Sequence, residues 1–133
     1  MTEPTLTQID AATAFAKAWN RLEPSHFLKL LAPTARYASQ WVFEELVGYE
    51  AIESYLKSKM RTVKAHAVNN PNSCVYAELG RTRGGQDCVF LAQGRKENVT
   101  AVVVFEISDG QISRYDLCIP EIVGVTRTGI YPI

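Results

Sequence analysis

Neither sign of charge prevails in this chain: fourteen Lys and Arg face fourteen Asp and Glu, for a formal net charge of zero. No global field gathers phosphates or an anionic membrane surface, so nucleic acid is not an expected partner. Long apolar runs are missing too; none approaches the ~20 residues that span a bilayer, and no membrane partner is expected. The segment Met1 to Asp10 lacks the basic stretch and apolar run of a secretion signal, so a cytoplasmic location is expected and the sequon Asn98-Val99-Thr100 carries no meaning. Cysteine is scarce: Cys74, Cys88 and Cys118 are odd in number and far apart, with no Cys-x-x-Cys pair and only two histidines in the chain. That pattern argues against a zinc site and a disulfide framework alike; no metal and no cofactor are expected, and each thiol reads as a small buried hydrophobe.

What is present fits an ordinary folded domain. At 133 residues, with 47% hydrophobic and 21% charged side chains, the chain can build one core, and residues 1–133 read as one domain. From Thr7, the residues Ile9, Ala12, Phe15, Ala16, Trp19 and Leu22 recur at helical spacing, and Thr7 with Asp10 resembles a capping box. Pro24 suits a first helical turn, Phe27 to Leu31 make a short apolar helix, and Pro33 stops it. ARYASQW then alternates with period two, which predicts a strand. After Gly48, YEAIESYLKSKMR carries an apolar stripe through Ile52, Tyr55, Leu56 and Met60, with acids early and bases late as the helix dipole favours. Beyond residue 70 the texture changes to SCVYAEL, CVFLA, VTAVVVFEI and ISRYDLCI, separated by turn signals. Helices grouped first and strands after them predict an α+β layer architecture with an antiparallel meander.

Three stretches, LLAPTARYASQW, GYEAIESYL and FEISDGQISRYD, resemble the nuclear transport factor 2-like (SnoaL-like) superfamily, which includes ketosteroid isomerases, SnoaL-type polyketide cyclases and scytalone dehydratases. The resemblance implies a cone: three N-terminal helices packed on a curved, mainly antiparallel sheet, with a pocket at the wide end. It implies an apolar pocket for a small hydrophobic molecule, and isomerase, dehydratase or cyclase chemistry without a cofactor; a non-catalytic binding or carrier module is the alternative. Ketosteroid isomerases use an aspartate base with a tyrosine and a protonated aspartic acid as oxyanion hole. In this chain Phe15, Ser39 and Val103 fall where the tyrosine, base and acid would be, and none can do the job. The aspartate usual near the end of the last strand in SnoaL-type cyclases would fall at Pro120.

His66, between the third helix and the sheet, is then the candidate general base, with a locally bonded helix-end histidine as the alternative. Tyr37 and Ser39 are the other candidate catalytic groups, sharing with Trp41 the strand face that holds the base in ketosteroid isomerases. Trp19, Trp41, Tyr55, Val103, Phe105, Tyr115 and Leu117 are the candidate ligand contacts, although aromatic stripes at such spacings often only fill a core. Glu44 and Glu45 follow closely enough to reach the pocket mouth, unless they are solvated loop carboxylates. Glu106, Arg114 and Asp116 fall on the opposite sheet face beside Val102, Val104 and Cys118, and in family members that face commonly packs on a second subunit; a homodimer is therefore expected, with a solvated face carrying surface ion pairs as the alternative.

Overall fold

A computed structural model describes residues 6–40, 42–120 and 125–133, with no side-chain description for Val42, Phe43, Glu44 and Val125. Its elements are α1 (Gln8–Arg21), α2 (Ser25–Leu28), β1 (Leu31–Ser39), β2 (Val42–Val47), α3 (Tyr49–Ala67), a 3-10 turn (Pro71–Ser73), β3 (Val75–Thr82), β4 (Asp87–Gln93), β5 (Val99–Ser108), β6 (Gln111–Cys118) and β7 (Val125–Ile130). Three helices pack on a curved sheet of seven strands in the order β2-β1-β6-β5-β4-β3-β7. Every adjacent pair is antiparallel except β1 with β6, which runs parallel with Tyr37 opposite Tyr115 and Ser39 opposite Leu117. The predicted α+β cone with a mainly antiparallel sheet is the observed one.

Local chemistry accounts for the ends of α1. The Thr7 hydroxyl accepts from the Asp10 amide at 3.2 Å and the Asp10 carboxylate accepts from the Thr7 amide at 3.1 Å, closing the capping box. Ala11, Ala12 and Ala16 are fully buried on this helix, and such small side chains let it lie close against β3, β4 and β5. Gly48 enters α3 at a φ of +98°, a backbone conformation that favours glycine, and its amide bonds the Ala35 carbonyl at 2.8 Å. α3 lies over β1 and β2, so two helices cover one sheet face and leave the space between them to be filled or left open.

Curvature comes from irregular register. Bulges interrupt pairing between Ala38 and Ser39, Leu79 and Gly80, Leu91 and Ala92, and Glu106 and Ile107, and each extra residue bends its strand. Under the bend sits an aromatic cluster in which Phe15 lies 5.0 Å from Phe27 and 5.6 Å from both Phe105 and Tyr115, while Tyr37 lies 4.6 Å from Tyr115. A small second cluster of Cys88, Phe90 and Val102 sits apart from this core.

Several boundaries differ from the sequence reading. Pro33 lies inside β1, whose first half pairs irregularly; a missing amide costs no ladder bond where the register slips. α3 runs on to Ala67, so His66 belongs to its last turn and not to a connection beside the sheet. The segment holding Glu44 and Glu45 is strand β2, paired with β1. A seventh strand, β7, was not anticipated: it pairs with β3 and ties down the chain end through Glu78. That glutamate is 2% exposed on β3 and accepts from Arg127 at 2.7 Å, from the Gly129 amide at 2.6 Å and from the Tyr131 hydroxyl at 3.3 Å.

Candidate functional site

A cavity of about 1250 Å³ opens between α1, α3 and the sheet. Small-molecule sites usually span roughly 300–1,000 Å³, so this one has room for a multi-ring ligand. Its floor is aromatic, with Phe15, Trp19, Tyr37 and Tyr115 all buried. Val75, Leu91 and Ala101 supply aliphatic wall from the sheet, and Val63 and Leu56 from α3. Exposed residues frame the mouth, chiefly Ser54, Tyr55, Ser58, Lys59 and Thr62 of α3 with Gln93 and Thr100 opposite. A second hollow of about 570 Å³ beside Gly48 lies at the other end of α3, and among its described lining residues Tyr49 alone is aromatic.

Two polar atoms in this region lack partners. The Trp19 indole nitrogen and the Tyr115 hydroxyl are buried without a hydrogen bond to any described residue, and both side chains line the cavity. An unpaired buried group of this kind costs about 1–3 kcal/mol. Burial, foremost, pushes the Tyr37 phenol up, helped by the neighbouring Tyr55; burial likewise pushes Tyr115 well up. Both phenols therefore stay protonated through neutral pH and are donors rather than bases.

The structure brings together Tyr37, Ser39, Trp19, Tyr55, Tyr115 and Leu117 in the cavity wall. Val103 and Phe105 sit on the same sheet face but are fully buried in the core and do not line the cavity; over Phe105 lies Phe15. Trp41 lies outside the described residues. His66 is exposed on the last turn of α3 and is not part of the lining. Glu45 is exposed and turned to Arg36 and Arg114, at 3.0 and 3.5 Å; the Arg36 hydrogen bond chiefly holds its carboxyl below the usual range. Nothing is described of the Glu44 side chain. The mouth residues Ser58, Lys59 and Thr62 were not anticipated, though spacing offered a signal: Lys59 and Thr62 lie four and seven positions after Tyr55, on one helical face.

On the outer sheet face, Val102 is fully buried and Cys118 6% exposed within a single chain, while Val104 is half-buried. Arg114 and Asp116 are engaged with one another, the carboxylate receiving bonds of 2.8 to 3.1 Å. Among the described residues no group of three or more His, Cys, Asp or Glu is placed to hold a metal ion, and no helix is long and apolar enough to cross a membrane.

Comparison with known proteins adds a family. The family model for a SnoaL-like domain matches residues 12–115. No curated protein matches the chain by sequence. Among solved structures, an NTF2-like protein of unknown function from Cytophaga hutchinsonii is 12% identical with a TM-score of 0.58, covering 91% of this chain and 97% of its own. A SnoaL-like protein of unknown function from Burkholderia thailandensis is 16% identical with a TM-score of 0.57, covering 95% of this chain and 100% of its own. A candidate polyketide cyclase from Sinorhizobium meliloti is 15% identical with a TM-score of 0.57, covering 84% of this chain and 99% of its own. Likeness at this level of identity is likeness of fold.

Proposed function

Given that the chain belongs to the SnoaL-like family, in which one fold serves unrelated sites, we propose that it binds a small, largely apolar, carbonyl-bearing molecule in its cavity as a carrier or sequestering module. The carrying observation is the pairing of two buried unpartnered donors, on Trp19 and Tyr115, with a described wall that holds no carboxylate, histidine or thiol. Such a wall can orient and desolvate a carbonyl; it offers no base poised near neutral pH. Aromatic side chains bury large area at low entropic cost, which suits a flat ligand.

A second reading is a cofactor-independent isomerase, dehydratase or cyclase, favoured by the protonated Tyr37 and Tyr115 phenols, which can polarise a ligand carbonyl toward its enol. In that reading Tyr37 and Ser39 orient the carbonyl, and His66, exposed at the end of α3, takes no part.

The homodimer through the outer sheet face is likewise proposed, its support narrowed to half-buried Val104 and exposed Glu106 now that Val102 and Cys118 are covered within one chain. Light scattering that finds only monomer at micromolar concentration refutes it.

Native mass spectrometry of protein purified without denaturant, with titration of uncharged apolar fluorophores, tests the binding reading. The expected result is one bound molecule per chain, lost in Leu117→Trp, which narrows the cavity. Absence of any co-purifying mass, together with no probe binding tighter than about 100 µM, overturns it. Turnover of a carbonyl substrate that survives in His66→Ala but falls in Tyr37→Phe would move the assignment to the enzyme.

A further inference from the structure

The cavity mouth has a charge that its interior lacks. Of the described residues lining the cavity, Lys59 alone carries a formal charge. It makes no ion pair with any described residue; its ammonium sits 6.0 Å from the centre of the Tyr55 ring, on the rim. The neighbouring lysine of α3 differs: Lys57 is paired with Glu53 at 3.4 Å, one turn back. After Glu53 the helix carries no acid, while Lys57, Lys59, Arg61 and Lys64 follow. Of these four bases only Lys59 lines the cavity, so a chain of zero net charge places one positive side chain at the opening.

Hydroxyls accompany it. Ser54, Ser58 and Thr62 stand at successive turns of α3 and all line the cavity, as do Ser39 and Thr100 across the opening. From floor to rim the wall therefore passes from aromatic and aliphatic to hydroxyl and ammonium. Resting on the binding reading above, we propose that the ligand is an aromatic organic anion, seated with its apolar body and carbonyl toward Trp19 and Tyr115 and its carboxylate or similar group at the mouth, held by Lys59 and the Ser54 and Ser58 hydroxyls, since the Thr62 hydroxyl already donates to the Ser58 carbonyl at 3.0 Å. The arrangement selects against cations, which would meet Lys59, and against molecules charged at both ends, which would have to bury one charge in the aromatic floor.

The test uses two fluorophores with one carbon skeleton: anilinonaphthalenesulfonate and its uncharged parent, phenylnaphthylamine. Each is titrated into wild type, Lys59→Met and Lys57→Met. The expected result is displacement of one probe by the other, a loss of sulfonate affinity of about 2- to 5-fold in Lys59→Met, as for other rim-exposed ion pairs, and unchanged affinity for the parent. Lys57→Met removes the same unit of charge and leaves both probes unaffected, and raising salt weakens only the sulfonate. Equal losses in the two variants, or none in either, overturn the anion inference while leaving the cavity reading in place. A sulfonate that the parent fails to displace binds elsewhere and also overturns it. Failure of both probes to bind wild type removes the binding reading itself.

Discussion

Replacing Tyr115 by Phe separates a strained site from a merely packed one, because the two give opposite signs. The Tyr115 ring is 1% exposed and touches four aromatic neighbours, with centroids 4.6 Å from Tyr37, 5.4 Å from Phe27, 5.6 Å from Phe15 and 6.2 Å from Phe105. Tyr115→Phe keeps every one of those contacts and removes only a hydroxyl that no described residue bonds. Leaving such a group unpaired costs about 1–3 kcal/mol, so the ligand-free variant is expected to gain about 1 kcal/mol of stability. For a domain of this size that raises Tm by about 3 °C. Affinity for a carbonyl-bearing ligand should move the other way, about fivefold weaker, since roughly 1 kcal/mol of hydrogen bonding is lost. Tyr37→Phe is the control: its hydroxyl interacts with Tyr55 and Ser39, and its loss is expected to destabilise the free protein by about 1 kcal/mol. Scanning calorimetry and probe titration on both variants supply the measurements. A fall in Tm for Tyr115→Phe as large as that for Tyr37→Phe would refute the reasoning, for it would mean that the hydroxyl is satisfied in solution.

Gly80→Ala should destabilise by about 1–3 kcal/mol, because a Cβ there would lie 1.8 Å from Cε2 of Phe90; the added Phe90→Leu change should recover part of that loss in urea unfolding, and strict additivity would refute the clash. Arg127→Met strips the main partner from the Glu78 carboxylate, 3% exposed at its side chain, and is expected to cost about 3 kcal/mol, whereas Glu78→Gln with Arg127 intact should cost less; equal small effects by urea titration would count against the buried pair. Burial pushes the Cys88 thiol up to about 12 and the Cys118 thiol up as well, so at pH 8 both stay protonated and inert, and a thiol-reactive dye should label native protein once, at half-buried Cys74. Two or three equivalents at the native rate would refute this.

Faces were legible in the sequence where depth was not. Period-two alternation put Tyr37 and Ser39, and Tyr115 and Leu117, on one side of their strands, and all four line the cavity. The same alternation put Val103 and Phe105 on that side without revealing that Phe15 covers Phe105, since a face says nothing of what lies above it. The sequence marks the third helix only as far as its apolar stripe, which weakens after Met60 and Val63; TVKAHA continues it on helix propensity with no breaker until Pro71, which carries His66 out into solvent. No sequence pattern marks β7, because Thr126 to Ile130 are all exposed at an edge, leaving no buried face to produce an apolar alternation. Spacing puts Lys59 and Thr62 on the helical face of Tyr55, but a polar residue facing a cavity mouth and one facing bulk water look alike in sequence, so the face alone does not mark a site.

The single parallel pairing sets an order of assembly. β3 to β6 join through short turns and can form while the rest of the chain is loose, but β1 meets β6 across a long stretch of chain, with Arg36 beside Arg114. Closing that loop is expected to be slow and to come late, because its entropy is lost before its contacts form. Tyr37 and Ser39 from β1, and Tyr115 and Leu117 from β6, become neighbours only at that step. The cavity is therefore a property of the completed fold, absent from the meander alone. A ligand bound there would oppose global unfolding rather than local fraying, adding about 2.7 kcal/mol at a hundredfold excess over Kd.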